Sequence, residues 1–231
     1  MNRILTSKWT KVVVFLLCLV PAAEIALKIA GNEDPNLVWS WFNYDLSANP
    51  VKFIEHFTGS WTLRFLVITL AITPLRKILH VPQLIRFRRM FGLFAFFYVS
   101  LHFSTWIVLD HWQQWSWNSI WADLLKRPFI AIGFAGFLLL IPLAITSTAG
   151  WIRRLGGKNW RMLHRAIYAT AVLGVIHYYW LVKSDKRAPL AYGAGFAVLF
   201  LWRIGDWYLQ RRRHAAVENL RSKRPVSAES A

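Results

Sequence analysis

Three histidines, His102, His164 and His177, stand in stretches otherwise apolar enough to lie in lipid. His102 sits in "FYVSLHFSTW", and the other two share "WRMLHRAIYATAVLGVIHYYW", residues 160 to 180. An ionisable group at membrane depth is costly and marks a functional site by default. A hydrogen bond between helices is the plainer role for one such histidine, but three together exceed it. His102 lies ~18 Å and His177 ~21 Å along their helices from the same face, at 1.5 Å per residue. Two imidazoles at one height on parallel helices can clamp a flat metal macrocycle, and bis-histidine heme is the chemistry they suit. A bare zinc site would gather more His, Cys or carboxylate ligands close together. No acid lies at that depth in either stretch.

His164 stands thirteen residues before His177, or ~20 Å lower on a straight helix, which suggests a second heme level. The same spacing leaves the two side chains roughly 140° apart around an ideal helix. Either the helix is distorted or the hemes lie on different sides. His80 is a candidate second ligand at the inner level; water or another residue is the alternative. His56 and His111 read as ordinary outer interfacial histidines, and His214 lies in the polar tail. Gly174, one turn before His177, permits close approach of a porphyrin or of another helix.

The elements that position these residues follow from composition. The chain has 231 residues, 56% of them hydrophobic, with 14 Trp. A soluble domain of that size could not hide this apolar surface, so the class is an all-α polytopic membrane protein. Six apolar stretches are expected to span, at about 12–30, 57–74, 90–109, 128–147, 163–182 and 189–208. Pro74, Pro128 and Pro189 mark span ends, where a missing N–H does least harm. The first stretch lacks a clean cleavage site and reads as a retained helix. The domain layout expected is a terminus over 1–11, a six-helix bundle over 12–210 and a flexible basic tail over 211–231.

The net charge of +17 would suggest nucleic acid in a soluble protein. Here the charge sits in short loops and reports topology. Nineteen of the 28 Lys and Arg fall on one side of the expected spans and six on the other. Both termini are therefore expected in the cytoplasm. The lone Cys18 excludes a disulfide within the chain, a covalent CxxCH heme and a Cys-ligated cluster. Trp106, Trp112, Trp115, Trp117 and Trp121 crowd one outer segment, as an interfacial belt or a docking surface for an outer partner. Arg64, inside the second span, is a candidate partner for heme propionates or a snorkelling cation. Arg203 is expected to pair with Asp206, one turn on. The loop "RRLGGKNWRMLHR" offers Arg153, Arg154 and Lys158 either as topology charges or as a site for a flavin phosphate or a donor protein.

With these features in view, the chain resembles the MsrQ (YedZ) family of heme-binding membrane subunits, whose wider relatives are ferric reductase-like transmembrane domains. The matching motifs are "EHFTG" at 55–59, "ITPLR" at 72–76, "IRFRRMFGL" at 85–93, "LHFSTW" at 101–106, "RPFIAIG" at 127–133, "AITSTAGWIRRLGGKNWRMLHRAIY" at 144–168 and "IHYYW" at 176–180. The resemblance implies b-type heme on His102, His164 and His177, in one or two copies, and FMN as a further cofactor. It implies residence in the bacterial inner membrane. It also implies electrons drawn from the quinol pool or a cytosolic flavin reductase and passed to a periplasmic molybdopterin subunit, MsrP, in a heterodimer. The chain would then be an electron-transfer subunit rather than the catalytic one. No GxGxxG follows a strand, so no nucleotide domain is expected in the chain itself. A ferric reductase acting at its own outer face, and a proton-coupled transporter, are the rival expectations.

Overall fold

The computed structural model describes residues 5–33, 45–111 and 115–222. Eight α-helices occur among them: α1 (Lys8–Glu33), α2 (Pro50–Ile78), α3 (Ile85–Thr105), α4 (Trp117–Lys126), α5 (Pro128–Ile145), α6 (Ala149–Leu163), α7 (Ala166–Leu181) and α8 (Arg187–Ser222). A 3-10 turn, Pro82–Leu84, joins α2 to α3, and α3 ends in a π-turn over Trp106–Asp110. The described residues contain no strand. Among the described residues, five helices are long and apolar enough to cross a membrane: α1, α2, α3 with its flanking turns, α5 and α8. The sixteen-residue α7 is a shorter apolar helix.

Two antiparallel pairs build the centre: α3 packs mainly on α2, and α7 mainly on α5. The shared core includes Leu63, Leu66, Leu70, Tyr98, Leu140, Ala171 and Phe196. Lipid is as apolar as these side chains, so close packing and satisfied polar groups hold the helices together. Thr58, Thr62, Thr69, Thr105 and Thr170 each donate to the carbonyl four residues back. That device hides a hydroxyl where no water is available. On α8, Val198, Leu201 and Ile204 are all more than 60% exposed, which suits a face turned to hydrocarbon.

Helix α1 is tied to α3 by one hydroxyl. Tyr98, fully buried, donates to Cys18 O at 2.8 Å and accepts from Ala22 N–H at 3.1 Å. These are the two backbone groups of one helical turn, so the phenol inserts into the hydrogen-bond ladder beside Pro21.

Several expectations need correction. Pro74 does not end its span; α2 runs through it to Ile78. Proline has no N–H, so Leu70 O loses its helical partner, and Arg203 Nη2 donates to that carbonyl at 2.8 Å. Arg203 Nη1 donates to Tyr168 OH at 2.9 Å. The expected Arg203–Asp206 pair is therefore absent, and Asp206 instead receives Lys77 Nζ at 2.6 Å. The stretch 163–182 is not one helix: its chain turns at His164–Arg165, and α7 starts at Ala166. The expected loop around Arg153 is helix α6, broken at Gly156, whose φ of 73° suits a residue without a Cβ. Residues 211–222, expected as tail, continue α8, while 223–231 and Trp112 lie outside the described residues.

Candidate heme site

The outer pair is built from two copies of one local arrangement. His102, near the end of α3, donates from Nδ1 to Glu55 O of α2 at 2.9 Å. His177, near the end of α7, donates from Nδ1 to Phe129 O of α5 at 2.7 Å. A carbonyl can only accept, so both rings carry their proton on Nδ1 and keep the Nε2 lone pair. That is the tautomer a metal-binding imidazole needs, with its other nitrogen anchored to a backbone oxygen.

Each accepting carbonyl lies four residues before a glycine, and each glycine passes under an imidazole. A Cβ on Gly59 would stand 3.2 Å from Cε1 of His102. A Cβ on Gly133 would stand 2.6 Å from Nδ1 of His177, closer than real Cβ atoms come. The missing side chain is what lets each ring reach its carbonyl.

The two rings then meet edge to face at a centroid separation of 6.0 Å, with their planes 80° apart. A metal bonded to both at ~2 Å puts two imidazole centres roughly 6 Å apart. Three observations therefore fit an iron held between His102 and His177: separation, tautomer and anchoring. Among the described residues no cluster of three or more His, Cys, Asp or Glu could hold a bare metal ion. Two histidines without further protein ligands suit a macrocycle that supplies the rest.

His56 belongs closer to this pair than its sequence position suggested. It follows Glu55, and its ring meets Tyr178 edge-on at 5.2 Å. Arg64 lies over the Trp61 ring at 4.5 Å. The Trp61 indole N–H is buried without an acceptor, so a donor and a cation lie together on α2, two and five residues past Gly59. Gly174 serves helix packing: a Cβ there would meet Leu63 of α2 at 3.0 Å.

His164 is arranged differently. Thr146 Oγ1 donates to Pro142 O at 2.6 Å, so it accepts from His164 Nε2 at 3.1 Å. Trp160 stacks on the ring at 4.0 Å, and its indole N–H donates to Thr146 O. This ring carries its proton on Nε2, the reverse of the outer pair. His80, at a φ of 54° just after α2, is exposed and is not brought to it.

Arg153, Arg154 and Lys158 are exposed on α6. The first two line an open groove with Thr148, Gly150 and Trp151. His111, at the π-turn, is 8% exposed, with Ser119 Oγ 3.3 Å from Nδ1 and Asp123 Oδ2 3.6 Å from Nε2. It braces α4 against the end of α3. On α4, Trp117, Trp121 and Leu125 form an exposed stripe at four-residue spacing.

Sequence reasoning missed Gly59, Gly133, Phe129, Thr146 and Trp160. The glycines stood inside "EHFTG" and "RPFIAIG", but only the folded pairs show which ring each accommodates.

Residues 58–175 match the family described as ferric reductase like transmembrane component; His102 and His164 fall inside that match and His177 two residues beyond it. The chain is 47% identical to a protein-methionine-sulfoxide reductase heme-binding subunit MsrQ of Caulobacter vibrioides, over 84% of this chain and 85% of that one. It is 52% identical to the MsrQ of Xanthomonas euvesicatoria pv. vesicatoria, over 77% and 80%. With the MsrQ of Herminiimonas arsenicoxydans the identity is 47%, over 87% of each chain. No solved structure matches. The chain thus belongs to the MsrQ family of heme-binding subunits, within the ferric reductase-like transmembrane proteins.

Proposed function

We propose that this protein is a b-type cytochrome of the bacterial inner membrane, with six crossings and both termini in the cytoplasm. It moves electrons outward to a periplasmic methionine sulfoxide reductase. One observation carries the reading: two imidazoles 6.0 Å apart, each anchored through Nδ1 to a carbonyl and each presenting Nε2. Heme b between them would supply reversible one-electron chemistry. The chain's own residues do the rest. His102 and His177 would hold the iron, Glu55 O and Phe129 O fix their tautomer, and Gly59 and Gly133 make room. Arg64 and Trp61 offer a cation and an N–H to propionates.

The geometry favours one heme. A second, on His164, would need its Nε2 to lose its proton and leave Thr146, or its Nδ1 lone pair to serve instead. Arg153, Arg154 and Lys158 on α6 are suited to meet the donor, whether a flavin, a flavin reductase or the quinol side. The acceptor proposed is the molybdopterin subunit MsrP, in keeping with the relatives' name. Trp117, Trp121 and Leu125 are the stripe nearest that side.

The test is the absorption spectrum of the purified protein, oxidised and reduced, with heme quantified per chain. A sharpened reduced α-band that the partner and methionine sulfoxide reoxidise supports the relay. Fast reoxidation by a ferric chelate without any partner would favour a stand-alone ferric reductase, the second reading that the family match suggests. A colourless protein from heme-replete cells overturns both.

A further inference from the structure

The two halves of the heme site differ at one position. In α2, the accepting carbonyl of Glu55 is followed by Thr58 three residues on and by Gly59 four residues on. In α5, Phe129 and Gly133 repeat that spacing, with Ile132 where α2 has Thr58. Thr58 is 1% exposed, so its hydroxyl is shut away from water. It donates to Ile54 O at 2.7 Å and also reaches Glu55 O at 3.2 Å. Thr62 and Thr69, farther along α2, donate to the carbonyl four residues back. Thr58 does this too, and in addition touches the oxygen that anchors His102.

Glu55 O thus serves His102 Nδ1–H and the Thr58 hydroxyl together. Phe129 O serves His177 Nδ1–H beside an isoleucine, which has no hydroxyl to share. A carbonyl that accepts from a hydroxyl has less electron density to offer a second donor. The bond lengths follow that order, 2.9 Å at His102 and 2.7 Å at His177. A bond at the far nitrogen raises the basicity of an imidazole toward a metal, and a more basic ligand favours ferric over ferrous iron.

We propose that Thr58 is a positioning residue for electron transfer: by sharing Glu55 O it makes His102 the weaker donor of the pair and raises the reduction potential of the heme. The shared carbonyl biases the site toward taking electrons. The inference rests on the heme between His102 and His177 proposed above.

Spectropotentiometry of the detergent-purified, heme-loaded full chain tests it, read in the reduced α-band. Thr58→Val keeps the shape of the side chain and removes the donor. Its midpoint should fall, with the reduced-to-oxidised ratio at a fixed potential dropping about threefold, which for one electron is ~30 mV. Thr58→Ser keeps a hydroxyl and should stay near the wild type. Ile132→Thr places the same hydroxyl within reach of Phe129 O, so its midpoint should rise by a similar amount. That variant decides the matter if Thr58→Val does not fold. An unchanged midpoint in heme-replete Thr58→Val or Ile132→Thr overturns the proposal. So does an equal drop in Thr58→Val and Thr58→Ser, which would make side-chain shape the cause. A wild type without heme overturns the bis-histidine reading itself, and this proposal with it.

Discussion

Gly133 lies so close to His177 that a methyl group on it would stand 2.6 Å from Nδ1, the atom through which the ring holds Phe129 O. Gly59 stands in the same relation to His102, at 3.2 Å. The site therefore rests on two absent side chains as much as on two imidazoles.

A first prediction uses the difference between these distances. Gly133→Ala must displace the ring, because its Nδ1 and Cε1 would stand 2.6 and 2.9 Å from the new methyl; overpacking of this kind costs typically 1–3 kcal/mol. Heme per chain, measured as the pyridine hemochrome, should fall well below the wild-type value. Gly59→Ala needs a shift of only a few tenths of an ångström and should retain most of its heme. Equal heme in wild type and Gly133→Ala would show that the ring sits elsewhere in the loaded protein.

The histidines give a second. His102→Ala and His177→Ala should each abolish the reduced α-band. His164→Ala should keep the full heme content, since its Nε2 is committed to Thr146. Loss of one heme equivalent from a wild type holding two would establish the inner level instead.

Tyr98 provides a third. Tyr98→Phe keeps the ring but removes a buried hydroxyl that serves Cys18 O and Ala22 N–H. The freed Ala22 N–H and Cys18 O can still pair with each other along α1, so the loss is that of a net hydrogen bond, ~0.5–1.5 kcal/mol. The thermal midpoint of heme release should drop by several degrees, and protease should cut α1 free sooner. The heme spectrum should not change, because Tyr98 does not touch the imidazoles.

A fourth concerns Lys77 and Asp206, which join α2 to α8 at 2.6 Å while each side chain remains about a third exposed. Half-exposed pairs contribute about 0–1 kcal/mol. Asp206→Asn should lower the midpoint slightly, and the exchange Lys77→Asp with Asp206→Lys should restore most of it. A large loss that the exchange does not repair would mean Asp206 has a further partner.

Much of this protein is local and so legible in one dimension. Apolar length dictates helices, because a chain in lipid must satisfy its backbone within each segment. The cost of an ionisable group among such residues singles out His102, His164 and His177 without any coordinates. Their heights on the helices, from the rise per residue, already paired His102 with His177.

The tertiary structure decided which partner, and so which tautomer, each histidine has. Tautomer depends on the atom opposite, and those atoms lie 47 and 48 residues away in the chain, on other helices. The contrast between His177 and His164, two histidines of one apolar stretch, comes from Phe129 O facing one and Thr146 facing the other. Arg203 turned from Asp206 to Leu70 O because Pro74, on another helix, leaves that carbonyl free. Spacing along a helix governs which residues share a turn, whereas hydrogen-bond partners across helices are set by how the helices pack, and no local pattern records that.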